Sequence, residues 1–558
     1  MEKRVLLAIV LSFIVLYGYQ AMFPPPELQR TADPPPVAAA PSTPPDPSPP
    51  AQAPVEATLP AQPPAATVTA DSEERDITFE NGSVRAVFSN RGGVIRSWRL
   101  KKYLNAANEP LELVPQDAPP GLPKPFTLAV DDAAVSKRLA EALYRPSAAA
   151  VDASNGPQTL TFDYQEAGGL TVHKAFSFDP QSPYVVHLTA TVLQGSTALV
   201  PAVQWGPAIG THVNINSLGY NAPPRAIYYT DGDVERVDVS DIPEVANQQG
   251  VYGFAGADDH YFLSAVVNPG QPLRLTYAVV PMTAKDPAED PPPPYVNWSA
   301  RYPEAPTGAA FFFGPKDFDV LAAIDRDLVR AIDFGIFSWL VVPLLRALKW
   351  LNVYIGNYGW SIIALTFIIN AAMFPLRHKS NVSMRKMQAI QPQVKAIQDR
   401  YKGMKATDPA RQKMNTEMME LYRQKGVNPA SGCVPMLLTF PVLLAFYNLL
   451  SESIELRNAP FIWWIHDLAA PDPFYVTPIL MGASQMLQQK MMPMTGADPV
   501  QQKMMMFMPI VFTFLFLTVP AGLALYWFAS NVLVIGQQVL TNRMIGPPGA
   551  MKKVESKK

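Results

Sequence analysis

Long apolar runs crowd into one part of this chain, from about Trp360 to Met544, and a further run opens it at Val5 to Phe23. About 20 consecutive apolar residues cross a bilayer as a helix, and in lipid each segment has to satisfy its own backbone polar groups. The clustering therefore dictates a helical membrane protein, with the more polar residues between the two apolar regions set apart as a water-soluble domain. The overall hydrophobic fraction of 48% averages two unlike parts and describes neither.

Five runs in the second region read as spans: about Gly359–Leu376, Pro435–Leu450, Phe474–Gln489, Met504–Val519 and Ala521–Leu540. With the N-terminal run they make six. Only Val519 to Gly522 separate the last two, which forces a tight hairpin. Basic residues gather between Leu376 and Asn428, among them Arg377, Lys379, Arg385, Lys386, Lys395 and Arg400. They gather again in the tail at Arg543, Lys552, Lys553, Lys557 and Lys558. The positive-inside rule puts both segments, and with six spans the N-terminus, in the cytoplasm. The soluble domain and the loop Glu452–Pro473, which carries Glu452, Glu455, Asp467 and Asp472, then lie outside. The net charge of -2 hides this segregation.

Residues 1–23 are expected to be an uncleaved signal anchor, since Tyr17, Tyr19 and Gln20 follow the apolar run without a small-x-small cleavage site. Residues 24–76 form a Pro/Ala-rich linker that in polyproline conformation could reach on the order of 100 Å. From 77 to 318 short alternating segments such as Val84–Phe88, Ile95–Leu100, Leu160–Tyr164, Leu170–Phe176 and Tyr184–Val192 read as strands separated by turns. An antiparallel sandwich is expected. With Cys433 the sole cysteine, no internal disulfide can brace it. Residues 319–355 read as an amphipathic helix in the membrane interface, because Arg326, Arg330, Arg346, Lys349 and Pro343 interrupt its apolar residues; an additional span is the rival reading.

The basic segment 377–428 is expected to be a helical hairpin. Met387, Ile390, Val394, Ile397 and Tyr401 follow helical spacing, Asp408 and Pro409 can start a second helix with Met414, Met418 and Leu421, and Gly426 can end it. The two seams either pack on each other or offer an adaptable docking surface, for which Met387, Arg400, Met414 and Met418 are candidates. Met491 and Met505 join them from a second methionine cluster, Met486 to Met508.

Within the spans the polar residues are uncharged: Thr366, Asn370, Thr439, Gln485, Gln488, Gln489, Ser530, Asn531 and Gln537. An ion-coupled transporter would need ionisable groups at mid-membrane, and none is there. His173, His187, His212, His260, His378 and His466 have no metal-ligand spacing and read as surface or sandwich residues. No nucleophile motif, phosphate-binding loop or carboxylate pair gives catalysis a seat, so no enzyme activity, cofactor or metal is expected.

The motifs GNYGWSIIALTF at Gly356–Phe367, GVNPASGCVPMLLTFPVLLAFYNLL at Gly426–Leu450, ELRNAPFIWWIHDL at Glu455–Leu468, DPFYVTPILMGASQ, DPVQQKMMMFMP and PAGLALYWFASN resemble the YidC family of insertases, related to the Oxa and Alb proteins. In the soluble region the resemblance rests on NRGG at Asn90–Gly93. It implies a bacterial inner-membrane protein of six transmembrane helices with an all-β periplasmic sandwich. A five-helix core, residues 356–545, would enclose a hydrophilic groove open to the cytoplasm and to lipid, and 546–558 would be a basic tail. Such a protein passes hydrophobic segments of nascent membrane proteins from the groove into lipid, alone or with the Sec translocon. The ribosome and the signal recognition particle pathway are further partners; sequence-specific nucleic-acid binding is not expected.

The resemblance also implies the groove lining: Thr366, Asn370, Arg377, Thr439, Tyr526 and Trp527. One position departs from the family, since Asn370 stands where most members carry a basic residue, usually Arg. Arg377, seven residues on, could share its face about 10 Å nearer the cytoplasm, which would move the charge to the groove mouth. A polytopic solute transporter and a membrane-tethered periplasmic carbohydrate-binding protein are the competing readings; the first lacks mid-span charges and the second lacks candidate site residues.

Overall fold

A computed structural model describes residues 69–105, 107–209, 222–282, 294–401, 409–426, 434–491 and 499–545, with the side chains of 208, 384, 385, 388, 409, 411, 434–439, 499–505 and 545 excepted. The expected N-terminal span, most of the linker and the basic tail lie outside these residues. What remains comprises a β domain followed by a set of helices.

Period-two burial builds the β domain. In Leu170–Phe178 every second residue is inward, so Leu170, Val172, Phe176 and Phe178 face the core together with Lys174. A ten-stranded antiparallel sheet runs from Asp233–Val237 through Arg225–Thr230, Phe254–Asp258, Phe262–Val267, Ala309–Pro315, Val185–Gln194, Leu170–Phe178 and Gln158–Gln165 to Arg145–Pro146, with Thr197–Leu199 beside Val185–Gln194. Two five-stranded sheets accompany it, one built on Val84–Ser89 and Val94–Leu104, the other on Leu273–Val280 and Tyr295–Arg301. The sheets are antiparallel as expected, except where Asp76–Glu80 runs parallel to Ala150–Asp152. Thr69 already pairs with Gln165, so part of the expected linker is tied to the sheet edge. A helix the alternating pattern did not suggest, α1 (Ala133–Glu141), is capped by Asp132 and buries only Val135 and Leu139.

Aromatic rings fill the space between the sheets. Phe79 stacks on Phe178 and on Trp98, Trp205 stacks on Trp298, and the Trp98 Nε1–H reaches the Phe313 carbonyl at 3.0 Å. Among these rings Lys174 is fully buried, and its ammonium donates to the carbonyls of Gly92 (2.7 Å), Gly93 (3.1 Å) and Phe126 (2.8 Å). Two of those carbonyls belong to the NRGG turn. Gly92 and Gly93 both have positive φ, and a Cβ on Gly92 would come within 2.8 Å of the Ala140 carbonyl, so the turn needs glycine there. Burial alone pushes the lysine down to about 7.

The stretch expected as one helix over 319–355 is broken. Helix α2 (Phe318–Ile324) ends at Asp325, whose carboxylate accepts the amides of Asp327 and Leu328, and short 3-10 turns follow at Leu328–Ala331 and Gly335–Phe337. Helix α3 (Ser338–Ile355) then buries Val341, Leu345 and Leu348 and leaves Trp339, Trp350, Val353 and Tyr354 exposed. The exposed side is therefore apolar too, and the contrast of faces expected of an amphipathic helix is not what sets them apart. Gly335–Ile355 is also long and apolar enough to cross a membrane, the property of the rival reading.

Helix α4 (Tyr358–Arg400) joins the expected first core span to the first arm of the hairpin without a break, with Pro375 and Pro392 inside it. The second arm is α5 (Pro409–Gln424), and α6 (Val434–Glu452), α7 (Val476–Met491), α8 (Pro499–Leu515) and α9 (Ala521–Ile545) complete the set. Among the described residues three helices satisfy length and apolarity for spanning, at Gly335–Ile355, Tyr358–Ser383 and Ala521–Met544. The expected count of six is thus not confirmed among the described residues, which do not include the N-terminal run. Phe440–Glu452 and Met506–Thr518 are apolar but shorter, and in α7 the run Gln488, Gln489 and Lys490 lowers the hydropathy.

Candidate functional site

Positions 362, 366 and 370 of α4 lie four residues apart and so share one face, which is buried: Ile362 and Thr366 at 0% exposure, Asn370 at 4%. The hydroxyl of Thr366 donates to the Ile362 carbonyl at 2.6 Å, and the Asn370 amide donates to the Thr366 carbonyl at 2.8 Å. Back-bonding of this kind leaves the Asn370 Oδ1 as the acceptor. Arg377 fills it: its guanidinium reaches back along the helix and donates to that oxygen at 2.5 Å. The sequence predicts a charge displaced toward the hairpin, but the long arginine stem returns its head group to the level of Asn370.

Helix α9 supplies the other side. Gln537 donates to the Asn370 carbonyl at 2.9 Å, Asn381 donates to Gln538 at 2.8 Å, and His378 Nδ1 lies 3.3 Å from the Thr541 hydroxyl. A polar seam thus joins α4 to α9 over Asn370, His378 and Asn381. The sequence reading did not single out Asn381, Gln538 or Thr541. For Asn381 the signal was there, since Arg377 and Asn381 are four apart and follow Asn370 by about two and about three turns. Tyr526 is buried, its ring stacked on Phe446 of α6 with centroids 4.3 Å apart, and its head group interacts electrostatically with Arg377.

Trp527 points elsewhere. Its Nε1–H donates to Gln485 of α7 at 3.1 Å, and its ring packs against Phe512 and Phe516. Asn531 continues that second seam, donating to the Ser484 hydroxyl at 3.0 Å. Helices α7 and α8 approach closely at Gly482, where an added Cβ would fall 1.8 Å from the Thr513 hydroxyl. Thr366, Asn370, Arg377 and Tyr526 are therefore brought together, and Trp527 is not among them. The side chain of Thr439 lies outside the described residues.

At the end of the bundle remote from the hairpin, the loop after α6 is tied to the start of α9. The amides of Ala521 and Gly522, at the start of α9, donate to the carbonyls of Ala470 (2.8 Å) and Leu468 (2.9 Å) in the loop after α6. Asp472 fixes that loop by accepting the Phe474 and Thr477 amides, the Thr477 hydroxyl and the Trp464 Nε1–H. Its carboxylate thus caps the turn that leads into α7.

At the hairpin the two arms pack on each other. Ile390 and Val394 are buried, and Met387, Met418, Leu421 and Tyr422 pack against them. Met387 and Met418 therefore belong to the hairpin's own seam, while Met414 and Met491 are half-buried and Arg400 forms an exposed ion pair with Glu417 at 3.3 Å. Among the described methionines it is Met419, Met506 and Met544 that present the most surface. The side chain of Met505 lies outside the described residues.

Comparison with known proteins covers nearly the whole chain. A family model described as "60Kd inner membrane protein" matches residues 350–547, and one described as "YidC periplasmic domain" matches 76–347. The membrane protein insertase YidC of Geobacter metallireducens is 38% identical, with 98% of this chain and 99% of that protein covered. That of Geobacter sulfurreducens is 39% identical over 98% of this chain and 99% of its own length. A solved structure of an active YidC insertase with its first transmembrane domain resolved covers 85% of this chain and 93% of its own, at 15% identity and a TM-score of 0.34.

Proposed function

Because the chain belongs to the YidC family of membrane protein insertases, we propose that it inserts substrates through a groove between α4, α6 and α9 in which Arg377 supplies the charge at the level of Asn370. The protein is a membrane insertase and not an enzyme, it resides in the inner membrane, and nascent membrane proteins are its substrates. The finer reading is ours. The first run, residues 1–23, and the runs corresponding to α4, α6, α7, α8 and α9 are the spans. The hairpin 377–428 and both termini face the cytoplasm, and the β domain and the loop 452–473 face the periplasm. The interfacial helix 319–355 reduces to α3.

A polar groove lowers the cost of bringing a substrate's hydrophilic tail partway across, and the substrate's apolar segment then leaves between α6 and α8 into lipid, driven by its own burial. Thr366, Asn370, Arg377 and Tyr526 line the groove, with Thr439 added by its position on α6. Trp527 holds α7, α8 and α9 together. The methionine-rich ends of α5, α7 and α8 receive apolar nascent chains, and the basic hairpin is the side from which the ribosome, the signal recognition particle pathway and the Sec translocon would approach.

The observation that carries this reading is the hydrogen bond from Arg377 to Asn370, which puts a monopole where the chain has a neutral residue. The test is depletion of the native insertase from a bacterial host and its replacement by this protein or by Asn370→Arg, with insertion of a small single-span substrate followed by protease protection. Rescue by the unmodified protein is the expected result. Rescue by Asn370→Arg alone would mean that Arg377 does not serve as the groove charge, and rescue by neither, with both stably expressed, would overturn the groove.

A further inference from the structure

The turn between strands Phe254–Asp258 and Phe262–Val267 presents Asp258, Asp259 and His260 in succession, and all three are buried. Asp259 accepts the amides of Tyr261 (2.9 Å) and Phe262 (2.7 Å), which fixes the turn. Asp258 is clamped between Arg225 (3.1 Å) and Lys316 (2.9 Å). Both acidic residues thus hold the turn within the β domain. His260 faces out of it, toward the helices.

The His260 Nε2 lies 2.8 Å from the carbonyl of Ser451, and its Nδ1 accepts the Ala222 amide at 3.3 Å. Because an N–H points at Nδ1, the proton sits on Nε2 and the ring is neutral, donating to Ser451. Ser451 belongs to the last turn of α6, where carbonyls have no partner within their own helix. The β domain therefore caps α6. Glu452 approaches the ring at 3.8 Å, and the burial that costs His260 its charge lowers it to about 4, which keeps it a donor through Nε2 alone.

Neighbouring contacts fasten the same end. Lys349 of α3 pairs with Glu455 (3.0 Å) just after α6 and with Asp319 (2.5 Å) of α2. Asn448 of α6 donates to the Phe334 carbonyl at 2.9 Å, and Asn458 donates to the Leu104 carbonyl at 3.1 Å. We infer that His260 is a positioning residue for insertion: by capping α6 at Ser451 it fixes the β-domain end of a helix that forms one side of the substrate's exit. This rests on the groove and exit proposed above. The β domain is then the bracket from which the exit helix swings.

The full chain, in a Cys433→Ser background, is tested with His260→Gln and His260→Asn. The glutamine amide nitrogen reaches the Nε2 position, whereas the asparagine amide stops at the Nδ1 position. Spin labels at Glu235→Cys on the β domain and Phe440→Cys on α6 report their separation, and protease protection reports insertion of a single-span substrate. The expected result is a broadened separation and an about fivefold slower insertion for His260→Asn, with His260→Gln within about twofold of the unmodified chain in both. In the His260→Asn background a disulfide from Leu104→Cys and Asn458→Cys should restore the rate when oxidised and not when reduced, which loss of β-domain folding would not allow. Equal behaviour of the two variants, or no recovery on oxidation, overturns the inference. An unmodified chain that inserts nothing while its label separation responds to His260→Asn would count against the proposed groove and leave the cap standing.

Discussion

The Arg377 guanidinium donates to the Asn370 Oδ1 at 2.5 Å, so the charge of one residue is delivered to the level of another seven positions earlier on the same helix. Arg377→Ala should lower insertion of substrates with acidic tails about tenfold, equivalent to about 1.4 kcal/mol, and leave neutral-tailed substrates within about twofold. Arg377→Lys should fall between, because a lysine keeps the charge but loses the planar fork that meets an amide oxygen. Protease protection of paired substrates differing only in tail charge makes the measurement. An equal loss for both tails would reduce Arg377 to a helix-packing residue.

Lys174 has no carboxylate partner in its described contacts, which are three carbonyls and the ring of Tyr144, and this sets a pH dependence. An unfolded lysine titrates near about 10.4, whereas burial holds this one at about 7. Between those values the unfolded chain binds more protons than the folded one, so β-domain stability should rise as pH rises from about 7 toward about 10. Lys174→Met should abolish that slope and, by leaving three buried carbonyls without a donor, destabilise the domain by about 2–4 kcal/mol. Urea unfolding of the full chain followed by tryptophan fluorescence, at several pH values, reads both effects.

Gly92 and Gly121 both have positive φ, but a Cβ on Gly92 meets the Ala140 carbonyl and one on Gly121 meets nothing within 4 Å. Alanine at either position incurs backbone strain of about 1 kcal/mol, and Gly92→Ala adds the steric clash. The expected order in a urea titration is Gly92→Ala least stable, with Gly121→Ala closer to the unmodified chain. Equal midpoints would show that the NRGG turn yields without disturbing Lys174.

Gly482 lets α7 lie against Thr513 of α8. Gly482→Ala should push the helices apart and lower the midpoint of unfolding in mixed detergent micelles by an amount equivalent to about 1–3 kcal/mol, as overpacked contacts do. Thr513→Ala in the same chain should recover part of the loss, since the hydroxyl is the atom struck. Independent, additive effects would separate the two residues.

Where a residue's neighbours lie on its own element, the sequence revealed them. Met387, Ile390 and Val394 follow helical spacing and form a seam, and the alternation in Leu170–Phe178 becomes a strand with one buried face. Contacts between elements distant in the chain were not legible. His260 reads as a surface or sandwich histidine, yet its partner is Ser451, 191 residues on. The stretch around Asp325 kept enough apolar residues to pass for one helix, because an aspartate that caps a turn cannot be told by composition from one on a solvated face. Of the groove, Thr366 and Asn370 were named from the family resemblance alone, and the reach of Arg377 back toward Asn370 depends on a side-chain rotamer that no pattern encodes.

Helix α4 runs unbroken for 43 residues. At 1.5 Å each that is about 65 Å, roughly twice the hydrocarbon thickness of a bilayer. The excess is a lever. A load on the hairpin, such as a docking partner would exert, travels down a rod whose weakest points are the two prolines, each lacking one backbone hydrogen bond. Pro375 sits between Asn370 and Arg377, so a bend of the rod at that point would change the distance between the charge and its acceptor.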